Sequence, residues 1–163
     1  MLKQISLLIL CAVAIVLFAT PVHACTSAVV SGKVTLDGRP LLWKNRDTDF
    51  MRNHVDYVKG ERYDFIAVVN SANAYLKEAW MGTNSAGFAL MNTQSYNLVD
   101  VKGDEERGAA NGRVIYRALE VCATVEDFCH FLDTISKPSD IEANFGVIDA
   151  QGGAAMFEVD YYK

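Results

Sequence analysis

Cys25 is the residue whose setting most directly suggests chemistry. Residues 1–24 hold a single charge, Lys3, followed by an apolar run at 5–19, a break at Pro21 and the small or apolar residues Val22 and Ala24. A positive start, an apolar middle of about 15 residues that is short for a bilayer span, and an A-x-A-like end read as a secretory signal peptide. Cleavage after Ala24 makes Cys25 the first residue of the exported chain. Three fates compete for it. Thioether lipidation would anchor the protein, although His23 is unusual in a lipobox and no polar tether follows the cysteine. An oxidising compartment permits a disulfide; Cys25, Cys122 and Cys129 remain after processing, and a Cys122–Cys129 pair across a helix break would leave Cys25 over. The third fate is catalysis. A free thiol titrates at about 8.5 and a free α-amine at about 7.7–8.0, so an amino-terminal cysteine can use its own amine as base. His54 and His130 then have no required role.

A second polar cluster lies at Trp43-Lys44-Asn45-Arg46-Asp47. On a regular strand Asn45 and Asp47 share one face, and Lys44 and Arg46 the other. A carboxylate could hold the Cys25 ammonium, and a nearby cation would favour thiolate and a developing oxyanion. Cross-strand ion pairs at a solvated strand end are the plainer reading of the same residues.

The elements that must position these groups alternate in type. Residues 26–34 read as a strand, Asp37-Gly38 as a hairpin turn and 40–45 as the partner strand. An apolar run covers 65–69, with a turn at 70–73. Strands are predicted at 75–81 and 88–94, joined through Gly82-Thr83-Asn84-Ser85-Ala86-Gly87. Residues 102–108 form a charged loop. Val114, Ile115, Ala118, Leu119 and Cys122 then recur at helical spacing. Thr124 and Asp127 form a capping box for a helix with Phe128, Phe131, Leu132 and Ile135 as its apolar stripe, ending at Lys137-Pro138. A last hairpin joins 144–149 to 154–159 around Gln151-Gly152-Gly153. The pattern predicts one α+β domain with antiparallel sheet, occupying residues 25–163.

Composition narrows the function classes. A net charge of −5 in 163 residues argues against a phosphate-binding surface, and so against nucleic acid. No second apolar run is long enough to span a membrane, so membrane contact would come only through a lipidated Cys25; homo-oligomerisation stays open.

The cysteine-first Cys-Thr-Ser start, the following strand and Asp37-Gly38-Arg39-Pro40-Leu41-Leu42-Trp43-Lys44-Asn45-Arg46-Asp47 resemble the cysteine N-terminal-nucleophile amide hydrolases, in particular the acyl-CoA:6-aminopenicillanate acyltransferase-like branch. The family's Arg-Asn-x-Asp motif is filled here with Lys44 in the usual Arg place; lysine keeps the charge and loses the planar fork. The turn at 82–88 is similar to a Gly-x-Asn-x-x-Gly motif. Asn92 falls where the family has an oxyanion-hole asparagine, and 144–150 and Phe157-Glu158 extend the likeness. The resemblance implies a four-layer αββα sandwich and an amidase or acyltransferase acting on a small-molecule linear amide. Cys25 would be the nucleophile, Asp47 would orient its amine, and Asn92 would hold the oxyanion. Lys44, Asn45 and Arg46 would line the substrate, and no metal or organic cofactor would be needed. Family members are generally longer and add site residues from a later half, so the chain is expected to be an amino-terminal portion of such a fold, incomplete at its C-terminus and exported to the periplasm or beyond.

Overall fold

The computed structural model describes residues 25–95, 108 and 110–160. The leader at 1–24 and nearly all of the charged loop at 102–108 lie outside the described residues. Strands β1 (Thr26–Val30) and β2 (Leu41–Asn45) pair antiparallel as a two-stranded sheet. A larger antiparallel sheet holds β3 (Asn53–Val58), β4 (Phe65–Asn70), β5 (Met81–Asn84), β6 (Ala89–Gln94), β7 (Ala143–Ile148) and β8 (Ala154–Val159), in chain order. Helices α1 (Asn111–Val121) and α2 (Val125–Asp133) fall between β6 and β7.

Alternation along the strands sorts side chains between two faces. Phe65, Leu90, Phe145 and Val147 point to the helices and pack with Ile115, Leu119 and Phe128 in the main core. The Phe128 ring lies 5.7 Å from that of Phe145 and 5.3 Å from that of Phe157. Each fully buried Phe or Leu contributes about 1.5–3 kcal/mol relative to exposure. On the opposite face the two-stranded sheet rests over β6, β7 and β8. One close approach is at Gly146, where a β-carbon would run into Met91 beside it and Val29 of β1 above it. Among the described residues this gives three layers: helices, the larger sheet and the two-stranded sheet. The α+β class and the antiparallel sheet agree with expectation.

Coverage is partial. Val55, Tyr57 and Ile66 stay exposed on β3 and β4. Between them and β2 lies an apolar cavity of about 340 Å³, lined by Leu41, Leu42, Val55, Ile66 and Met81.

Five features differ from expectation. The first strand stops at Val30, because Ser31 caps a 3-10 turn at Gly32–Val34, and residues 31–40 link β1 to β2 in place of a tight hairpin. The strand placed at 75–81 is a 3-10 turn at Ala74–Leu76 followed by left-handed Lys77, and β5 begins only at Met81. Gly82 to Asn84, read as turn, are strand; the turn proper is Ser85 to Gly87, with Gly87 at φ +83°. Strand β3 was not anticipated. The capping box at Thr124 and Asp127 is present, although α2 ends at Asp133, short of Lys137-Pro138.

Asn84 explains the motif around it. Its Oδ1 accepts from the N–H groups of Ala86 and Phe88, and its Nδ2 donates to the carbonyls of Leu119 and Cys122. The buried side chain therefore closes its own turn and ties it to the end of α1. Asp149 does similar work before β8: Oδ1 accepts from Gln151 and Gly153, and Oδ2 from Val125 at the start of α2.

Candidate active site

The β1–β2 register pairs Thr26 with Asn45. One step beyond that pair, Cys25 comes level with Arg46, and its Sγ lies 3.5 Å from the Asp47 carbonyl oxygen. Cys25 is half-buried. The strand periodicity persists through this stretch: Lys44 and Arg46 turn inward and are half-buried, while Asn45 and Asp47 are exposed. Inward on this strand means toward the larger sheet, so both cations are held between the two sheets at the end where Cys25 sits.

Lys44 Nζ donates at 3.0 Å to the Trp80 carbonyl and at 3.0 Å to Asn92 Oδ1. It thereby links β2 to β6 and to the segment just before β5. Burial pulls the Lys44 ammonium down to about 8; the negative charge available at Cys25 opposes that shift, and the neighbouring Arg46 cation adds to it. Arg46 donates to Asn53 Oδ1 and, at 2.9 Å, to Asn70 Oδ1. Its Cζ stands 4.8 Å from the centroid of the Trp80 ring, a distance at which a guanidinium is attracted to the indole face. Burial lowers the Arg46 pKa from its ordinary value, again opposed by Cys25. The two cations are thus electrostatically in touch with the Cys25 sulfur.

Of the residues singled out from sequence, Cys25, Lys44, Arg46, the Asp47 backbone and Asn92 converge on one end of the two-stranded sheet. Asn45 faces solvent on the outer side. Asn53, Asn70 and Trp80 belong to the same cluster and were missed. Asn53 and Asn70 pair across β3 and β4, and nothing in their spacing marks them. The Trp80 indole N–H is buried without a hydrogen-bond partner among the described residues.

The other titratable candidates lie elsewhere. His54 Nδ1 is 3.0 Å from Ser71 Oγ, and His130 pairs with Glu126 on the surface of α2. Cys25, Cys122 and Cys129 are all free. The Cys122–Cys129 bridge left open by the sequence is not formed: Cys122 is buried at the end of α1, whereas Cys129 is exposed on α2.

A sequence profile of the family described as acyl-coenzyme A:6-aminopenicillanic acid acyl-transferase matches residues 35–162. The chain belongs to this acyl-transferase family. The match takes in β2 to β8, and with them Lys44, Arg46, Asp47 and Asn92. Cys25 precedes the matched span, and the β1–β2 register and the contact with Asp47 bring it beside Lys44 and Arg46. No curated protein and no solved structure matches the chain.

Proposed function

We propose that this acyl-transferase-family chain carries the nucleophile of an exported amidase or acyltransferase, and that Cys25, once amino-terminal, attacks the carbonyl of a linear amide. The observation that supports this most is the position of Cys25 Sγ against the Asp47 carbonyl with Lys44 and Arg46 behind it. The α-amine of Cys25 takes the thiol proton, and the thiolate adds to the carbonyl carbon. The tetrahedral oxyanion is held by Asn92 and a backbone N–H, donors worth about 3–4 kcal/mol each in such sites. The α-ammonium returns its proton to the departing amine as the C–N bond breaks, leaving a thioester. Water, or a second amine, then attacks the thioester and frees Cys25. Asp47 orients the α-amine, and the Arg46 guanidinium offers a fixed positive charge to a substrate carboxylate.

The wider architecture in this proposal is a four-layer αββα sandwich, of which residues 25–163 form the nucleophile-bearing part. The open apolar face at Val55, Tyr57 and Ile66 is where further strands would lie.

A lipid-anchored, non-catalytic protein is the competing reading. β1 begins at Thr26, directly after Cys25, which leaves a lipid no tether. The deciding measurement is the intact mass of the protein exported by its host, with its amino-terminal peptide sequenced. An unmodified amino-terminal Cys25 that alkylates faster than a model thiol is the expected result. A diacylglyceryl adduct on Cys25, or an uncut leader, would remove the nucleophile.

A further inference from the structure

The Asn92 carboxamide can present either end to a reacting carbonyl, and only one is useful. Its Nδ2 can donate to an oxyanion; its Oδ1 would repel one. The two arrangements differ by a half-turn of the terminal torsion, which needs no movement of β6. Asn92 is only 4% exposed, so water does not choose between them. Lys44 does have a preference. An ammonium has three donors and no acceptor, and Nζ stands 3.0 Å from Asn92 Oδ1. Reversing the amide would set N–H against N–H in a site with little water. Nor is the ammonium loose: its second bond, to the Trp80 carbonyl at 3.0 Å, is to backbone.

Resting on the acyl-enzyme reading above, we propose that Lys44 is a positioning residue for Asn92: its ammonium holds Oδ1 and so fixes Nδ2 as the end that meets the oxyanion. This is a different task from binding a substrate carboxylate, the role that the motif suggests for this position, and from stabilising the Cys25 thiolate directly. Those two roles need Lys44 to face substrate or sulfur. The role proposed here needs only its bond to Asn92.

The test uses the processed, exported protein and p-nitrophenyl acetate as the acyl probe. Cys25 thiolate adds to the ester carbonyl, p-nitrophenolate leaves and is read by its absorbance, and the acetyl group passes to Cys25, where acid quench and mass spectrometry locate it on sulfur or, after transfer to the neighbouring α-amine, on nitrogen. Iodoacetamide is the control, because displacement of iodide by the same thiolate passes through no oxyanion. Lys44→Gln, whose amide both donates and accepts, should slow acetylation about tenfold or more, toward the loss expected for removing an oxyanion donor, and slow alkylation, which feels only the lost charge beside the sulfur, by a clearly smaller factor. Lys44→Arg, donor-only like lysine, should recover most of the rate. In an Asn92→Ala background Lys44→Gln should slow acetylation no more than it slows alkylation. Asn92→Asp keeps an acceptor for Lys44 but has no N–H, and should lose as much acetylation as Asn92→Ala; that comparison, with Lys44→Arg, decides the matter if Lys44→Gln does not fold.

Equal slowing of acetylation and alkylation would overturn the proposal in favour of a thiolate role. A loss of acetylation from Lys44→Gln in the Asn92→Ala background that exceeds its effect on alkylation, or an Asn92→Asp variant that keeps its rate, would also overturn it. A wild-type protein that neither gains an acetyl group on Cys25 nor releases p-nitrophenolate faster than Cys25→Ala would instead remove the acyl-enzyme reading, and the positioning role with it.

Discussion

Asn53 and Asn70 stand opposite each other across β3 and β4, and together they accept from both terminal nitrogens of Arg46. The Trp80 ring covers one face of the same guanidinium. A side chain that leaves β2 at the rim of the smaller sheet is thus fastened to the larger one. Lysine cannot reproduce a planar fork on two acceptors. Arg46→Lys is therefore expected to destabilise the protein by about 1–2 kcal/mol, and Asn70→Ala by a similar amount. Because the two share one interaction, the double variant should cost clearly less than the sum. Urea denaturation of the four proteins checks this; strict additivity would mean that the contact contributes nothing.

The depressed pKa of Lys44 carries a pH signature. Its folded value is about 8, and in the unfolded chain the group titrates near 10.4. Between these values the unfolded chain binds the extra proton, so stability contributed by this position rises with pH across that window and is lowest below pH 8. Measured against Lys44→Gln, which does not titrate, the wild type should gain on the order of 2 kcal/mol between pH 7.5 and 10. Denaturant midpoints along that range supply the test, and parallel curves for the two proteins would place Lys44 in water.

The three cysteines should separate by reactivity. Burial pushes the Cys122 thiol up to about 12, so neither its accessibility nor its thiolate fraction suits an alkylating reagent at pH 8. Cys129 is exposed. In the folded, processed protein iodoacetamide is expected to label Cys25 first, Cys129 second, and Cys122 only after denaturant is added. Peptide mapping over time gives the order, and early labelling of Cys122 would show that α1 opens readily.

Asn84→Ala removes four hydrogen bonds at once, two to the turn and two to the end of α1. The Leu119 and Cys122 carbonyls lose that donor in a buried setting. The expected cost is about 2–4 kcal/mol, read as a fall in melting temperature. Asn84→Asp keeps the acceptor for Ala86 and Phe88 but sets an anion against those two carbonyls, and should be no better.

The sequence was most readable where local chemistry decides structure. Alternation put Lys44 and Arg46 on one side of β2 and Asn45 and Asp47 on the other, and the folded chain keeps that division two residues past the end of the strand. Thr124 and Asp127 announced α2 through bonds made within four residues. Legibility failed where packing overrides local preference. Gly82 looks like punctuation, yet it lies within β5: a β-carbon there would come within 2.6 Å of both the Ile66 carbonyl and Leu119 Cδ1. Its glycine serves close approach between layers rather than a turn. β3 is an edge strand with most of its side chains exposed, so it lacks the apolar run that marked β4. In the site, Cys25, the charged motif and Asn92 were identifiable individually. Trp80, Asn53 and Asn70 were not, because their partnership with Arg46 spans three strands or approaches to strands and leaves no trace in spacing.

The hydrogen atom that serves as the side chain of Gly146 has a mechanical consequence for Cys25. Val29 rests there, and four residues of extended chain, about 13 Å, separate it from the thiol. That spot is one support of the smaller sheet, and β1 is the arm that extends from it. A methyl group at 146 would press on the Met91 and Val29 side chains, and whatever part of that pressure β1 takes up by tilting moves its far end, where the sulfur sits, more than it moves Val29. The setting of the Cys25 thiol is thereby tied to a position with no polar group of its own.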